Sequence, residues 1–121
     1  IKYIANTYFP RTNIIDVETV RDTNNIALSS RLSRLSKESL SSTLRIYETL
    51  KVMKSELLKG RSFKKLKEEN IDYLEANDIH VEYLDLRSLI TLEEASDKLK
   101  SCGIFIACYV DDIRLIDNIE I

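Results

Sequence analysis

The chain has 121 residues, of which 44% are hydrophobic and 31% are charged, and its net charge is −2. This length fits one domain, or one domain with a fragment of another, and the composition is ordinary for a soluble globular protein. Proteins that depend on nucleic-acid contacts are usually basic, so we expect no nucleic-acid partner. No apolar run reaches the roughly 18 residues of a membrane span, and no signal-peptide pattern is visible, so no membrane association is expected.

The cysteines and the histidine do not form a recognisable reactive motif. Cys102 and Cys108 lie in or beside an apolar run without a Cys-x-x-Cys spacing, which predicts reduced core thiols in a cytosolic protein. His80 has no Ser, Cys or second His close to it in sequence. We therefore interpret it as a surface residue of a strand, outside any catalytic triad or metal site.

The first twenty residues predict a helix and then a strand. Apolar residues recur at helical spacing in residues 1–9, and Pro10 ends that helix. The segment "NIIDVETV", residues 13–20, has the β-branched content of a strand. A lone helix and strand have no partners, so we interpret them as the end of a helix–strand unit whose earlier parts precede residue 1.

A loop and two helices are predicted next. Residues 21–31 are polar, and Asn24-Asn25 suits a turn because Asn tolerates left-handed backbone angles. Ser36 is a suitable N-cap for a helix from about Lys37 to Lys59, which carries a broad apolar stripe.

Gly60 suits the end of that helix, and Ser62 suits the start of another helix that runs to about Ala76. The basic residues around this junction are interpreted as a solvated surface; they are Lys59, Arg61, Lys64 and Lys65.

The last third of the chain predicts a small sheet. Residues 79–87 suit a strand, Thr91 suits the cap of a short helix over 91–100, and the apolar run 103–110 suits a central buried strand. Asp111-Asp112 would link that run to an alternating strand over 113–121. The predicted class is α+β, with a small, largely antiparallel sheet of about three strands packed with helices.

Two polar features bear on function. Ile116 and Asp117 interrupt the alternation of the last strand, and for Asp117 and Asn118 a structural hydrogen-bonding role is favoured. The triplet Ser29-Ser30-Arg31 offers hydroxyls, backbone N–H groups and a planar guanidinium, which suit phosphate oxygens. From spacing alone, an ordinary loop remains the alternative for that triplet.

Three segments in order resemble one enzyme family. The first, "VETVRDTNNIALSSR", resembles its strand, Val-Arg, short turn and Leu-Ser-Ser-Arg motif. The second, "RLSKESLSSTLRIYETL", is similar to the helix that follows, and "IRLIDNIEI" is similar to its closing strand, with Arg-Leu-Ile-Asp-Asn intact at 114–118. The family is pantothenate synthetase, or pantoate–β-alanine ligase. The resemblance covers nearly the whole of this chain, but it covers only about the last two-fifths of the family's complete enzyme.

The resemblance implies a fold and a reaction. Residues 1–22 would be the last helix and strand of an N-terminal Rossmann-like nucleotidyltransferase domain, and residues 23–121 would be a C-terminal lid domain. ATP and pantoate would form a pantoyl adenylate, which β-alanine would convert to pantothenate and AMP on the route to coenzyme A. Mg²⁺ would accompany the ATP, and the enzyme would be a cytoplasmic homodimer.

The resemblance also implies roles for individual residues. The backbone of Val20 would contact the nucleotide, while Leu28, Ser29, Ser30 and Arg31 would form the ATP-binding motif. That motif is a counterpart of the mobile signature loop of class I aminoacyl-tRNA synthetases. Ser29, Ser30 and Arg31 would act in catalysis, with Arg31 the main electrostatic contributor. The remaining contacts to substrate would precede residue 1, so the 121 residues alone should be inactive.

The sequence departs from the family pattern at three places. Asn24-Asn25 stands where Asp-Gly is common, Leu32 stands where Asn is common, and the last turn is Asp111-Asp112-Ile113 without glycine. The first two departures support an alternative hypothesis, a non-catalytic binding or interaction module that kept the fold.

Overall fold

A three-stranded antiparallel sheet in the order β1–β2–β3 forms the centre of the protein. The computed structural model describes residues 1–95 and 101–121. The strands are β1 (Ile79–Ser88), β2 (Cys102–Val110) and β3 (Ile113–Glu120). Asp111, with a φ of 51°, begins the two-residue link between β2 and β3. The α+β class and the central position of the apolar strand are as predicted.

Helices supply the rest of the regular structure of the described residues. In chain order they are α1 (Lys2–Tyr8), a 3₁₀ helix (Ser30–Arg34), α2 (Lys37–Ser42), α3 (Leu44–Leu58) and α4 (Phe63–Glu75). Helix α3 packs against β3 and α4 packs against β1. Within the described residues, no helix is both long enough and apolar enough to cross a membrane.

The single helix predicted over 37–59 is divided into α2 and α3 at Thr43. The Thr43 hydroxyl donates a hydrogen bond to the Leu40 carbonyl at 2.7 Å, and the Thr43 N–H also donates to Leu40. This bonding to the residue three positions back competes with the α-helical pattern and tightens the turn. Thr43 is buried, so the break is held in place by packing.

The predicted helix start at Ser36 and the predicted helix end at Gly60 are confirmed. Ser36 accepts a hydrogen bond from the Ser39 N–H at 3.1 Å, as an N-cap does. Gly60 has a φ of 88°, and its N–H donates to the Leu57 carbonyl at 2.9 Å. Ser62 precedes α4 but makes no side-chain cap bond.

The hydrophobic core lies between the sheet and helices α3 and α4. The helical stripes and the inner face of the sheet meet there, and the side chains with the least solvent contact include Leu50, Met53, Leu66, Leu74, Leu84, Ile104 and Ile106. Burial of these aliphatic groups is the main favourable contribution to folding of this unit.

The N-terminal segment differs from the prediction. Helix α1 forms and ends before Pro10, but residues 13–20 form no strand. A strand needs a row of backbone hydrogen bonds to a neighbour. Within the described residues, 13–19 have none, Val20 accepts one from Leu28, and the nearest pairing is a single bridge between Arg21 and Ala27. The apolar side chains of Ile15 and Val17 are 77% and 82% exposed, so they pack against no other element of the described residues.

The short helix predicted over 91–100 is also not formed in its described half. Leu92 has a φ of 62°, and Glu94 bridges to Arg87 of β1. The Ala95 N–H donates to the Leu86 carbonyl at 3.1 Å, so this segment pairs with the end of the sheet. Pairing with β1 and a left-handed angle are both incompatible with a continuous helix. Residues 96–100 lie outside the described residues.

The surface predictions are confirmed. His80 is exposed, with its Nδ1 atom 3.2 Å from a carboxylate oxygen of Glu75. In the basic cluster, Arg61 donates to Glu69 at 2.7 Å and Lys59 donates to Glu56 at 2.7 Å. These cations are exposed and paired with neighbouring acids, as expected of a solvated surface.

Both cysteines are unpaired and buried, as predicted. Burial, and to a smaller extent the carboxylate of Asp117, raises the pKa of the Cys108 thiol to about 12. Because the thiolate is the reactive form, Cys108 is held in an unreactive state.

We expect Cys108 in the folded chain to resist alkylation by iodoacetamide at about pH 8, because little thiolate forms and the sulfur is shielded. Peptide mass spectrometry after timed labelling measures this directly. The same reaction in concentrated urea serves as the control and should label Cys108 rapidly. Labelling at equal rates in the two conditions would contradict the burial of this thiol.

Candidate functional site

Residues 20–28 form a closed loop between the N-terminal segment and the 3₁₀ helix. The Leu28 N–H donates to the Val20 carbonyl at 2.9 Å, and the Asp22 N–H donates to the Ile26 carbonyl at 3.0 Å. Together with the bridge between Arg21 and Ala27, these bonds make a short hairpin. In the described part of the chain, the Val20 N–H donates no hydrogen bond.

The tip of this loop is stabilised by Asp22. Its carboxylate accepts hydrogen bonds from the N–H groups of Asn24 and Ile26, both at 2.9 Å. Asn25 has a φ of 65°, and its N–H donates to the Asp22 carbonyl at 3.0 Å. Asp and Asn are suited to such a turn because their side chains bond the local backbone and Asn tolerates left-handed angles. The predicted Asn24-Asn25 turn is confirmed, and Asn25 occupies a backbone position that glycine would also suit.

The Ser29-Ser30-Arg31 triplet starts the 3₁₀ helix, where only a loop was predicted. Ser29 occupies the N-cap, and its hydroxyl accepts a hydrogen bond from the Arg31 N–H at 3.2 Å. The Ser33 hydroxyl donates to the Ser30 carbonyl at 2.9 Å. The triplet therefore has a defined backbone conformation.

Leu32, one of the three departures from the family pattern, has a structural explanation. Its side chain is half-buried against the hydrophobic core, and its N–H donates to the Ser29 carbonyl at 3.1 Å. A leucine here anchors the 3₁₀ helix by apolar contact. The backbone hydrogen bond that shapes the turn does not depend on the side chain, so the change from Asn is compatible with the motif's geometry.

The side chains of Ser29, Ser30 and Arg31 are all exposed. Within the ranges 1–95 and 101–121, Arg31 takes part in no ion pair. An exposed guanidinium without an acidic partner is available to an anionic ligand.

A cleft of about 290 Å³ opens beside this triplet. It is lined by Leu28, Ser29 and Arg31 and by Asp117 and Asn118 of β3. Its apolar lining includes Ile26, Leu32, Ile46, Leu115 and Ile116. Of the residues proposed from sequence, the structure brings Leu28, Ser29 and Arg31 to the cleft, while Ser30 and Val20 lie next to it along the chain.

Sequence reasoning missed a charged pair at the base of the loop. The Nη1 and Nη2 atoms of Arg21 donate to the two carboxylate oxygens of Asp117, both at 2.8 Å. The side chains are 15% and 7% exposed. The Arg21 guanidinium also lies 3.5 Å from the ring centroid of Tyr47. The hydrogen bonds that Arg21 donates to the Asp117 carboxylate raise the pKa of Arg21 above its ordinary value.

The strand pattern contained a signal for this pair. The pairing of β2 with β3 is continuous, and it places Asp117 opposite Ile106, on the buried face with Leu115. Ile116 faces outward and is exposed. The inward and outward alternation of the strand is therefore unbroken, but an apolar residue takes the outward position at 116 and a carboxylate takes the inward position at 117. A carboxylate on an inward-facing position needs a cation. The predicted hydrogen-bonding role of Asp117 is confirmed.

The family model described as Pantoate-beta-alanine ligase matches residues 1–120. The chain is 31% identical over 122 residues to the pantothenate synthetase of Nitrosospira multiformis, covering 100% of this chain and 44% of that protein. It is 32% identical over 123 residues to that of Leptospira interrogans, covering 100% of this chain and 43% of the relative. The chain therefore spans less than half the length of the curated relatives it matches.

Solved structures agree with the sequence comparison. The crystal structure of pantothenate synthetase from Thermus thermophilus superposes with a TM-score of 0.85 at 28% identity, covering 98% of this chain and 43% of that one. A pantoate-beta-alanine ligase from Francisella tularensis, complexed with beta-gamma ATP and beta-alanine, shares the fold at a TM-score of 0.67 and 24% identity, covering 98% of this chain and 37% of that one. The match of family model, sequence and fold across nearly every residue shows that this chain belongs to the pantoate–β-alanine ligase family.

Proposed function

We propose that this chain acts as the lid portion of a pantoate–β-alanine ligase, and that Arg31 is its principal contribution to the reaction. The observation that carries the proposal is an exposed guanidinium, unpaired within the described residues, held beside a cleft by a capped 3₁₀ helix. In the proposed reaction the pantoate carboxylate attacks the α-phosphate of ATP and pyrophosphate leaves. The β-alanine amine then attacks the acyl carbon, so AMP leaves and pantothenate forms.

The proposed role of the triplet follows from where charge develops. Negative charge grows on the α-phosphate and on departing pyrophosphate as pantoate attacks. The Arg31 guanidinium and the hydroxyls of Ser29 and Ser30 would donate to those oxygens, and donors that gain strength in the transition state raise the rate. The Val20 N–H would contact the nucleotide through the backbone. ATP binding to the Francisella tularensis protein supports assigning ATP to this chain.

Mg²⁺, which the resemblance implies, finds no cluster of ligands here. Within residues 1–95 and 101–121, no three His, Cys, Asp or Glu side chains lie together as a metal site would require. The carboxylate at the cleft, Asp117, already accepts both donors of Arg21. We therefore assign no step to a metal held by these residues.

We also propose a domain boundary. The first twenty residues expose apolar side chains, among them Ile1, Tyr3, Ile15, Val17 and Val20, as expected of a segment that packs against the body of a nucleotidyltransferase domain. The pattern of contacts changes at Arg21, which bonds to β3. We place the division between the two domains immediately before Arg21, in place of the predicted division after residue 22. The homodimer and the cytoplasmic location stay predictions from the resemblance.

The test is ATP turnover by the complete gene product. We expect AMP to be released only when pantoate and β-alanine are both present, with pyrophosphate formed in the pantoate-dependent half-reaction. Reactions lacking each substrate in turn are the controls. Absence of AMP release would support the alternative, a non-catalytic module, whereas AMP release by residues 1–121 alone would contradict the assignment of this chain as a lid. Asn25 and Leu32, the departures that favour the alternative, both fit the loop's geometry.

A further inference from the structure

We propose that Arg21, Asp117 and Tyr47 form a clasp that fastens the loop to β3, so that Arg31 reaches the nucleotide as part of the folded lid. In this proposal, which rests on the proposed function, Arg21 and Asp117 are positioning residues that act through Arg31. The motif would then move with the domain and not as an independent mobile loop.

The clasp joins two parts of the chain that are far apart in sequence. Arg21 and Asp117 are separated by 96 positions, and their two hydrogen bonds, both 2.8 Å, form the parallel fork of a bidentate pair. The Nη1 atom of Arg21 also donates to the Asn25 carbonyl at 3.1 Å. The same guanidinium therefore binds both β3 and the tip of the loop.

Tyr47 completes the clasp from the helical side. Its ring lies under the Arg21 guanidinium, with 3.5 Å between the Cζ atom and the ring centroid, and it belongs to α3. The hydrogen bonds of a guanidinium lie in its plane and do not prevent movement perpendicular to that plane. Stacking on an aromatic ring restricts this perpendicular movement. The loop is thus attached to both β3 and α3.

The clasp is more buried than a second charge pair that involves β3, between Arg114 and Glu82. Arg114 donates to Glu82 through two bonds of 2.6 and 3.2 Å, but both side chains are 40% exposed. Exposed pairs contribute little, because water and salt screen them and the side chains lose entropy. The Arg21–Asp117 pair is largely shielded, so removing one partner leaves the other uncompensated.

Only a few residues of the chain connect the clasp to the Ser29-Ser30-Arg31 triplet. Arg21 pairs with Ala27 across the loop, and residues 28 and 29 lead directly to the 3₁₀ helix that carries Arg31. Asp117 and Arg31 line the same cleft. A shift of the loop relative to β3 would therefore change the position of Arg31 relative to a ligand in that cleft. Misplacement of a catalytic group by about 1 Å is enough to lower rates about a hundredfold.

The experiment compares Asp117→Asn with Glu82→Gln in the complete gene product. Both changes replace a carboxylate by an amide in a bidentate pair involving β3, but only the first touches the clasp. We expect Asp117→Asn to lower kcat/KM for ATP by about tenfold to a hundredfold, while Glu82→Gln changes it by less than about twofold, in line with the small contribution of exposed pairs. Thermal unfolding of each variant establishes that the fold is retained.

Dependence on Arg31 separates positioning from a general structural effect. In an Arg31→Ala background, Asp117→Asn should change kcat/KM by less than about twofold, because the group it positions is already gone. An undiminished loss in that background would overturn the proposal, and so would equal effects of Asp117→Asn and Glu82→Gln. If Asp117→Asn does not fold, Arg21→Lys replaces it, since lysine keeps the charge but loses the planar fork.

The two proposals fail in different ways. If Arg31→Ala alone has normal kcat/KM, or the gene product releases no AMP, the proposed function has failed and the positioning role falls with it. If Arg31→Ala strongly lowers kcat/KM while Asp117→Asn and Arg21→Lys change it as little as Glu82→Gln does, only the positioning role has failed.

Discussion

Arg31→Ala in the complete gene product is expected to lower kcat about 100- to 1,000-fold, the range measured when one donor to a developing negative charge is removed. The physical reason is that Arg31 would interact with oxygens whose charge increases in the transition state, so its loss affects kcat more than substrate binding. Steady-state rates of AMP release, with pantoate and β-alanine saturating and ATP varied, measure the effect on kcat and on KM separately.

Arg34→Ala is the matched control for this prediction. Arg34 is exposed and lies on the same 3₁₀ helix, but it is not among the residues that line the cleft. We expect it to change kcat by less than about threefold, as a distant charge screened by salt would. Thermal unfolding should be nearly unchanged in both variants, because both side chains are exposed. Near-normal turnover by Arg31→Ala would remove Arg31 from the mechanism.

Leu50→Ala is expected to lower the free energy of unfolding by about 2–5 kcal/mol, the usual cost of replacing a fully buried leucine. Leu50 lies on α3, is 0% exposed and belongs to the core between the helices and the sheet. The substitution removes apolar contacts and leaves a cavity that the sheet and α4 can only partly fill. Urea unfolding followed by circular dichroism measures the change.

Leu58→Ala provides the comparison on the same helix. Leu58 is 62% exposed, so the same chemical change should lower the free energy of unfolding by less than about 1 kcal/mol. Leucine and alanine are both good helix formers and Leu58 is the last residue of α3, so the change in helix propensity is small and burial is the main difference between the two positions. Equal effects at Leu50 and Leu58 would contradict the placement of α3 against the sheet.

Local sequence signals predicted α4, the three strands of the sheet and several helix ends correctly. The capping by Ser36 and the left-handed Gly60 depend on hydrogen bonds and backbone angles within a few residues, so they are readable from the chain itself. The apolar run at 103–110 predicted a central strand, and β2 occupies the middle of the sheet.

The predictions that were wrong depended on neighbours. Residues 13–20 have a strand's composition, but composition cannot supply the partner that a strand needs. Thr91 resembled a helix cap, yet the residues after it pair with the end of β1. The break at Thr43 was missed because a threonine inside a helical stripe is common, and only its buried hydrogen bond to Leu40 marks the end of α2.

For the candidate site, the sequence by itself determined the motif: two hydroxyls and a guanidinium ahead of a capped helix, and an Arg-Leu-Ile-Asp-Asn strand near the end of the chain. Only the tertiary structure decided that these two segments meet, that Arg31 is exposed beside a cleft, and that Asp117 turns inward to bind Arg21. The physical reason is that Arg21 and Asp117 are 96 positions apart and meet only in the packed fold, and no local pattern encodes that contact.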